Sequence, residues 1–221
     1  MAKRVIYLHT VMGVVPQFNE LSRTLLPPGT EWWHIVDEML AKVALAQGGL
    51  SPFLYRRVAE HAQAAREAGA DVFQLTCSSI SPCADAVNSL VDIPVLKIDA
   101  PMVEQAVDMA RRIGIAATAY TALAPLAEQV RARASALGKQ VEVNPVLCEG
   151  AYPAMLAGDM TTHNRVVSGY LQQMAQCNDV ILLAQASMAL IVNSMPADSL
   201  KVRVLTSPRM AVERLARALE M

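Results

Sequence analysis

The chain has 221 residues, 53% of them hydrophobic but only 5% aromatic, with 19 basic and 20 acidic side chains for a net charge of −1. Such a chain can bury a large aliphatic core as one domain or two small ones. With no basic excess and no Lys/Arg cluster it does not read as a nucleic-acid binder, and no run reaches the ~20 apolar residues of a membrane helix. Four cysteines, Cys77, Cys83, Cys148 and Cys177, form no CxxC and have no histidine close by in sequence. That usage predicts reduced thiols in a cytoplasmic protein, not disulfides or a metal site. The first apolar run, starting at Arg4, is too short for a signal-peptide core and reads as a strand.

In chain order, strands are expected at Arg4–Leu8 and, after the Pro27-Pro28-Gly29 turn signal, at Thr30–Glu38, where Trp32, His34 and Val36 share one side. A helix follows at Pro52–Gly69 with a glycine stop. Next come a strand at Val72–Thr76, a short helix at Ser81–Leu90, a strand at Pro94–Ile98 and a helix at Pro101–Arg112. The pattern continues with a strand at Gly114–Thr118, a helix at Ala122–Leu137, a strand at Val141–Leu147 and a helix at Thr162–Gln176. It closes with a strand at Val180–Leu183, a short helix at Met188–Asn193, a strand at Val202–Leu205 and a helix at Pro208–Leu219. This alternation predicts an α/β fold with mainly parallel sheets. The unbroken apolar strands fit sheets covered on both faces.

The stretch Asp71-Val72-Phe73-Gln74-Leu75-Thr76-Cys77-Ser78-Ser79 carries the chemistry. It places a cysteine at the carboxyl end of a buried strand, near a helix N-terminus. Unpaired N–H groups and the helix dipole favour negative charge there. They are expected to lower the thiol pKa and to be able to hold a carboxylate. The stretch Asp179–Met188 repeats the pattern with Gln185 in place of the cysteine. Cys77 and Gln185 are 108 positions apart (185 − 77), and Val5–Gly13 is echoed by Ile113–Thr121 at the same offset (113 − 5). Two similar halves facing each other would bring all four turns to one cleft, the usual place for ligands in α/β folds.

These residues resemble the aspartate/glutamate racemase superfamily, which includes hydantoin racemases, maleate isomerase and arylmalonate decarboxylase. The resemblance covers essentially the whole chain. It rests on Thr76-Cys77-Ser78-Ser79, Lys97-Ile98-Asp99-Ala100-Pro101-Met102, Gly114-Ile115-Ala116-Ala117-Thr118-Ala119-Tyr120-Thr121, Cys148-Glu149-Gly150-Ala151-Tyr152 with Gly158-Asp159, and Leu183-Ala184-Gln185-Ala186-Ser187-Met188-Ala189. It implies two pseudo-symmetric α/β domains, over 1–98 plus 206–221 and over 99–205, with the active site between them. It also implies a cofactor-independent isomerase or lyase acting next to a carboxylate of a small acid, working as a homo-oligomer. Family racemases use one cysteine from each half. Cys77 falls on the first and Gln185 on the second, and a neutral amide neither takes nor gives a proton at neutral pH. The two-base mechanism is therefore incomplete here. A lone thiol can still protonate a planar intermediate from one face or attack an activated double bond. The other reading is a carboxylate-binding protein that has lost racemase activity.

Cys77 is thus the catalytic candidate, set against an inert buried thiol. Thr10, in the loop after the first strand, and Thr76 are expected to line the site. Ser78 and Ser79 are expected as carboxylate contacts that also serve as caps. The resemblance makes Thr118 and Thr121 a second carboxylate-binding loop, against a plain helix start. Tyr120 projects into the cleft or covers it. Gln185 orients substrate or bonds the loop backbone, and Ser187 caps the next helix with a possible ligand role. His9 reads as a structural histidine more than an acid/base, Asp99 as a helix cap, and His163 and Glu149 as weak candidates.

Overall fold

A computed structural model of the chain describes residues 2–195 and 199–220. The chain divides into two compact units, one comprising the residues up to Ala100 with the final helix from Pro208, the other Pro101–Ser207. The expected domain ranges also run through residues 1, 196–198 and 221, which lie outside the described residues.

The first unit is built on a parallel sheet of β1 (Arg4–His9), β2 (Glu31–Val36), β3 (Val72–Leu75) and β4 (Val95–Leu96), in the order β2-β1-β3-β4. Its helices are α1 (Val15–Leu25), α2 (Glu38–Gln47), α3 (Pro52–Glu67) and α4 (Cys83–Val87). The central strands β1 and β3 are almost wholly buried, as parallel strands covered on both faces must be. Helix α3 places Leu54, Val58, Ala62 and Ala65 on one buried face, at the three- and four-residue spacing of an amphipathic helix. That face packs into a core with Ile6, Leu8, Phe73 and Leu75.

The second unit repeats the plan. Its parallel sheet has β5 (Arg112–Ala117), β6 (Glu142–Leu147), β7 (Val180–Leu183) and β8 (Arg203–Thr206), in the order β6-β5-β7-β8. The helices are α5 (Ala100–Met109), α6 (Tyr120–Ala136), α7 (Ala151–Leu156), α8 (Met160–Met174) and α9 (Ala189–Ser194). The last helix, α10 (Ser207–Leu219), falls almost entirely in the first unit.

The internal echo is structural. Val5 pairs with Val72 in the first sheet and Ile113 with Val180 in the second, both displaced by the same 108 residues (113 − 5, 180 − 72). Even the strand starts match: the Arg4 N–H donates to the Asp71 carboxylate at 2.7 Å, and the Arg112 N–H to that of Asp179 at 2.8 Å.

The eight strands, their parallel pairing and with them the α/β class agree with the sequence reading. Three helices were not anticipated. Helix α1 has Pro16 in its first turn, a helix-start signal. For α2 the overlooked signals are the Asp37 cap, which accepts from the Met39 N–H, and the left-handed Gly48 stop. Helix α7 has Pro153 in its first turn, where a missing N–H costs nothing. The expected helix over Ser81–Leu90 is shorter, a 3-10 turn at Ser78–Ile80 followed by α4. Arg112, expected to end a helix, instead opens β5.

One glycine tests the packing. A Cβ on Gly114, in the middle of β5, would lie 2.9 Å from Met174 Cε and 3.0 Å from Asn178 Cγ and Nδ2. The methionine tip can move. Asn178 is pinned, because its amide donates to the Met174 carbonyl at 2.9 Å and accepts from Asn144 at 3.0 Å. Gly114→Ala is therefore expected to cost about 1–3 kcal/mol by overpacking, seen as a melting temperature lower by several degrees. An unchanged melting temperature would show that Asn178 yields freely.

Candidate functional site

Cys77 follows β3 after Thr76 and stands at the N-cap of the 3-10 turn Ser78–Ile80, with φ −132° and ψ 123°. Gln185 follows β7 and caps the turn Ala186–Met188 with nearly the same angles, −131° and 133°. Each therefore stands at the carboxyl edge of its own sheet.

Around Cys77 the structure gathers several polar groups. The Thr10 hydroxyl and the backbone N–H groups of Ser79 and Ile80 reach its sulfur and favour the thiolate. Burial works the other way and is the larger effect, and the Asp99 carboxylate adds to it, so the thiol pKa lies above its ordinary value. This corrects the expected lowering of the Cys77 pKa: the turn supplies its N–H groups, but the side chain loses more solvation than they return. Resting Cys77 is a neutral, half-buried thiol. Asp99, read as a helix cap, is fully buried and accepts from the Ser78 hydroxyl at 2.7 Å and the Ser81 hydroxyl at 2.8 Å. The Ser78 hydroxyl proton is thus committed to Asp99 rather than to a ligand. Ser79 is buried beside it.

Thr76 and Thr10 are both buried. Thr76 opens a chain of hydrogen bonds: its hydroxyl lies 2.8 Å from His9 Nδ1, His9 Nε2 lies 2.8 Å from His34 Nδ1, and His34 Nε2 lies 3.0 Å from Asn19 Oδ1. One partner fixes the direction of the whole chain. Trp32 Nε1–H can only donate, and it donates to Asn19 Oδ1 at 2.9 Å. Asn19 therefore presents its oxygen to His34, which must donate through Nε2. A neutral His34 then accepts at Nδ1 from His9 Nε2–H, and a neutral His9 accepts at Nδ1 from the Thr76 hydroxyl. The Leu8 carbonyl, 2.9 Å from that hydroxyl, is served at 3.1 Å by the Thr76 backbone N–H. Burial, reinforced by His34, pushes His9 down to about 3, and burial lowers His34 too. His9 is fully buried, neutral and engaged at both nitrogens. It is the structural histidine of the sequence reading and brings no acid or base to the site at neutral pH.

In the second unit Gln185 is half-buried. Its Oε1 accepts from the Thr118 N–H at 2.6 Å, the Thr118 hydroxyl at 2.9 Å and the Ala119 N–H at 3.2 Å. Thr118 is the repeat partner of Thr10 (118 − 10 = 108), so a threonine hydroxyl bonds the thiol in one unit and the amide oxygen in the other. Of the two readings of Gln185, bonding of loop backbone is the one observed. The donors expected of Thr118 as a carboxylate contact are taken up by Gln185. Thr121 is buried in the first turn of α6, whereas Tyr120 beside it is 47% exposed. Ser187 is exposed within the turn after Gln185.

The remaining candidates separate from these clusters. His163 is buried near the start of α8 and holds the Ala151 carbonyl through Nδ1 at 2.9 Å. Glu149 is exposed. Cys83 and Cys148 are fully buried, with thiols pushed up to about 12 and about 11 by burial, and Cys177 is exposed. A groove of about 680 Å³ lined by Arg111, Lys139 and Asp179 among others lies at the opposite, amino edge of the second sheet. Lys139 there is paired with Asp108 at 2.8 Å. Among the described residues no group of three or more His, Cys, Asp or Glu could hold a metal ion, and no helix is long and apolar enough to cross a membrane. Sequence reasoning missed Asn19, Trp32 and His34 as the anchor of the Thr76 chain; their side chains meet only because β2 pairs with β1 and α1 packs nearby. The signal for it was the one-sided set Trp32, His34 and Val36.

Two four-stranded parallel α/β units, each with a polar turn at the carboxyl edge, define a two-domain α/β protein of racemase architecture. A family model described as Asp/Glu/Hydantoin racemase matches residues 14–215. The chain belongs to the Asp/Glu/hydantoin racemase family and is by class a racemase-like isomerase. Solved structures share the fold at low identity. Glutamate racemase from Bacillus anthracis is 14% identical, with a TM-score of 0.75 over 99% of this chain and 82% of that one. Allantoin racemase from Klebsiella pneumoniae is 18% identical, with a TM-score of 0.70 over 99% and 88%. An aspartate racemase homologue from Pyrococcus horikoshii is 14% identical, with a TM-score of 0.69 over 100% of both chains. No curated protein matches the sequence.

Proposed function

We propose that this chain is a cofactor-independent enzyme that moves a proton at the carbon next to a carboxylate of a small acid, with Cys77 as its one proton-carrying thiol. The observation that carries this reading is the place of Cys77, at the carboxyl edge of the first sheet and at the N-cap of the turn Ser78–Ile80, where the Thr10 hydroxyl and the Ser79 and Ile80 N–H groups favour the thiolate. Burial keeps the resting group protonated, which suits a proton donor. The planar carbanion or enediolate forms when CO₂ leaves, or when Cys77 in its thiolate form removes the alpha proton; the thiol then gives that face a proton, and the negative charge left on sulfur is stabilised by the groups around it. The thiolate is restored to a thiol by the next substrate's alpha proton or by solvent. With one proton-carrying thiol, chemistry proceeds from one face, as exchange, tautomerisation or decarboxylation. The structures of similar fold include a glutamate racemase, an allantoin racemase and an aspartate racemase homologue, which frames the substrate class.

A second reading, favoured by the inward-turned Gln185, is a small-carboxylate binder without turnover. One experiment separates the two. The protein is incubated in deuterated water with aspartate, glutamate, maleate, hydroxy acids, hydantoins and substituted malonates and followed by NMR. Deuterium uptake, isomerisation or loss of CO₂ is the expected result for at least one compound. Saturable binding with no reaction would establish the binder instead.

A further inference from the structure

Asp99 is a fully buried carboxylate in the short connection Lys97-Ile98-Asp99 between β4 and α5. Burying such a group is costly unless its oxygens are bonded. Each oxygen accepts one hydroxyl, Oδ1 from Ser78 at 2.7 Å and Oδ2 from Ser81 at 2.8 Å. The two serines are three residues apart, one turn of a 3-10 helix, and the Ser81 N–H donates to the Ser78 carbonyl at 3.3 Å. The carboxylate therefore bridges the whole turn that opens at Cys77. It also acts on the sulfur as a negative charge, against the thiolate that the Ser79 and Ile80 N–H groups favour.

The internal repeat shows that this bridge goes with the thiol. At the 108-residue offset Ser78 and Ser81 become Ala186 and Ala189 (186 − 78, 189 − 81). Strand β8 passes into α10 through Thr206-Ser207, with no acidic residue at the junction. Yet the second unit makes the same turn with nearly the same cap angles. The turn needs no carboxylate to form. What the first unit has besides the bridge is a sulfur that carries a proton. The other titratable groups on the surrounding elements are neutral or paired. Cys83 on α4 is a thiol pushed up to about 12, Tyr55 on α3 is a phenol raised by burial, and His9 is neutral. Asp85 on α4 is paired with Lys97 at 2.6 Å, and Glu38 on α2 with Lys42 at 3.2 Å. That leaves Asp99 as the charge that acts on Cys77.

We propose that Asp99 is a positioning residue for Cys77: through Ser78 and Ser81 it fixes the turn, and as a standing negative charge it keeps the proton on the sulfur until an intermediate takes it. This rests on the reading of Cys77 as the proton-carrying thiol and names the group that poises it. The same charge favours return of a proton to the thiolate after transfer.

The test is iodoacetamide labelling of the full chain from neutral to alkaline pH, with Cys77 resolved from the exposed Cys177 by peptide mass spectrometry. Asp99→Asn keeps the shape and removes the charge. Its labelling rise is expected at lower pH than in wild type, with a several-fold faster rate at pH 7. Ser81→Ala keeps the charge and removes one of the hydroxyls that disperse it, so its rise is expected at higher pH. The opposite signs are the signature, because loosening of the turn alone would expose the sulfur and speed labelling in both. An Asp99→Asn profile at or above that of wild type overturns the proposal, as does a Ser81→Ala profile that is unmoved or moved to lower pH. Should circular dichroism show Asp99→Asn unfolded, Ser81→Ala decides by the same criterion. The assay uses no substrate, so its outcome is separate from that of the catalytic reading. Opposite shifts with no reaction on the deuterium panel keep the role of Asp99 and remove the enzyme. Exchange with unmoved profiles does the reverse.

Discussion

Cys77→Ala is expected to lower turnover of any compound that reacts in the deuterium assay by about 10²- to 10⁴-fold, the contribution of one positioned acid/base, in a protein that still folds. The side chain is small and only packed against the edge of the first core, so the stability change should stay near 1 kcal/mol. Cys77→Ser keeps a hydrogen bond to Thr10 but not the proton-transfer ability, since a hydroxyl ionises far less readily than a thiol, and it should be almost as inactive. The pH dependence is informative too. Because burial holds the Cys77 pKa above its ordinary value, iodoacetamide should label it slowly at pH 7 and faster only in alkaline solution. Thr10→Val removes one of the groups that favour the thiolate and should move that alkaline rise to still higher pH. Rapid labelling of Cys77 at pH 7 would mean that the N–H groups outweigh burial.

The second large effect is loss of stability in mild acid. His9 titrates near 6.5 when unfolded and at about 3 when folded. Above pH 6.5 it is neutral in both states, and the full stability is present. As pH falls below 6.5 the unfolded chain binds a proton that the folded chain refuses, so stability is lost, by about 1.4 kcal/mol per pH unit at most, down to about pH 3. His34 is shifted in the same direction and steepens the loss. Against a total of roughly 5–15 kcal/mol for a folded protein, this is a large fraction. The lowered carboxylates, Asp37 and Asp179 among them, lose their contribution only below the ordinary aspartate range, so the window from pH 6.5 to 4.5 isolates the histidines. Urea midpoints measured across that window should fall steadily. A His9→Gln variant should be less stable at pH 7 and show a flatter pH dependence. Equal midpoints at pH 7 and pH 4.5 would show that the Thr76–His9–His34–Asn19 chain admits a proton.

What could be read beforehand follows from what sequence encodes locally. The buried strands β3 and β7 are apolar runs that end at Thr76-Cys77 and Ala184-Gln185, and their 108-residue offset appears both in the letters and in the pairing register. The helices α1 and α2 were missed because their buried faces are sparse: α1 buries only Phe18 and Ser22, and α2 only Leu40 and Ala44. In them, tertiary packing and end caps outweigh periodicity. The candidate site was legible in position but not in electrostatics. Cys77 does stand at the N-cap of a turn, yet its charge balance also depends on burial and on residues distant in sequence, the Thr10 hydroxyl favouring the thiolate and the Asp99 carboxylate opposing it. The sequence also left open whether Gln185 faces a ligand or its own loop. The choice is set by Thr118 and Ala119, whose donors come into range only when β5 and β7 pair side by side.

The central claim is that a single thiol, Cys77, moves the proton on one face. It is tested most directly by comparing deuterium incorporation with chirality in a reacting chiral substrate, wild type beside Cys77→Ala. The expected result is deuterium entering without formation of the opposite enantiomer, and no incorporation in the variant. Racemisation at the rate of deuterium uptake, or uptake that persists in Cys77→Ala, would place a second proton-carrying group in the site and contradict the account.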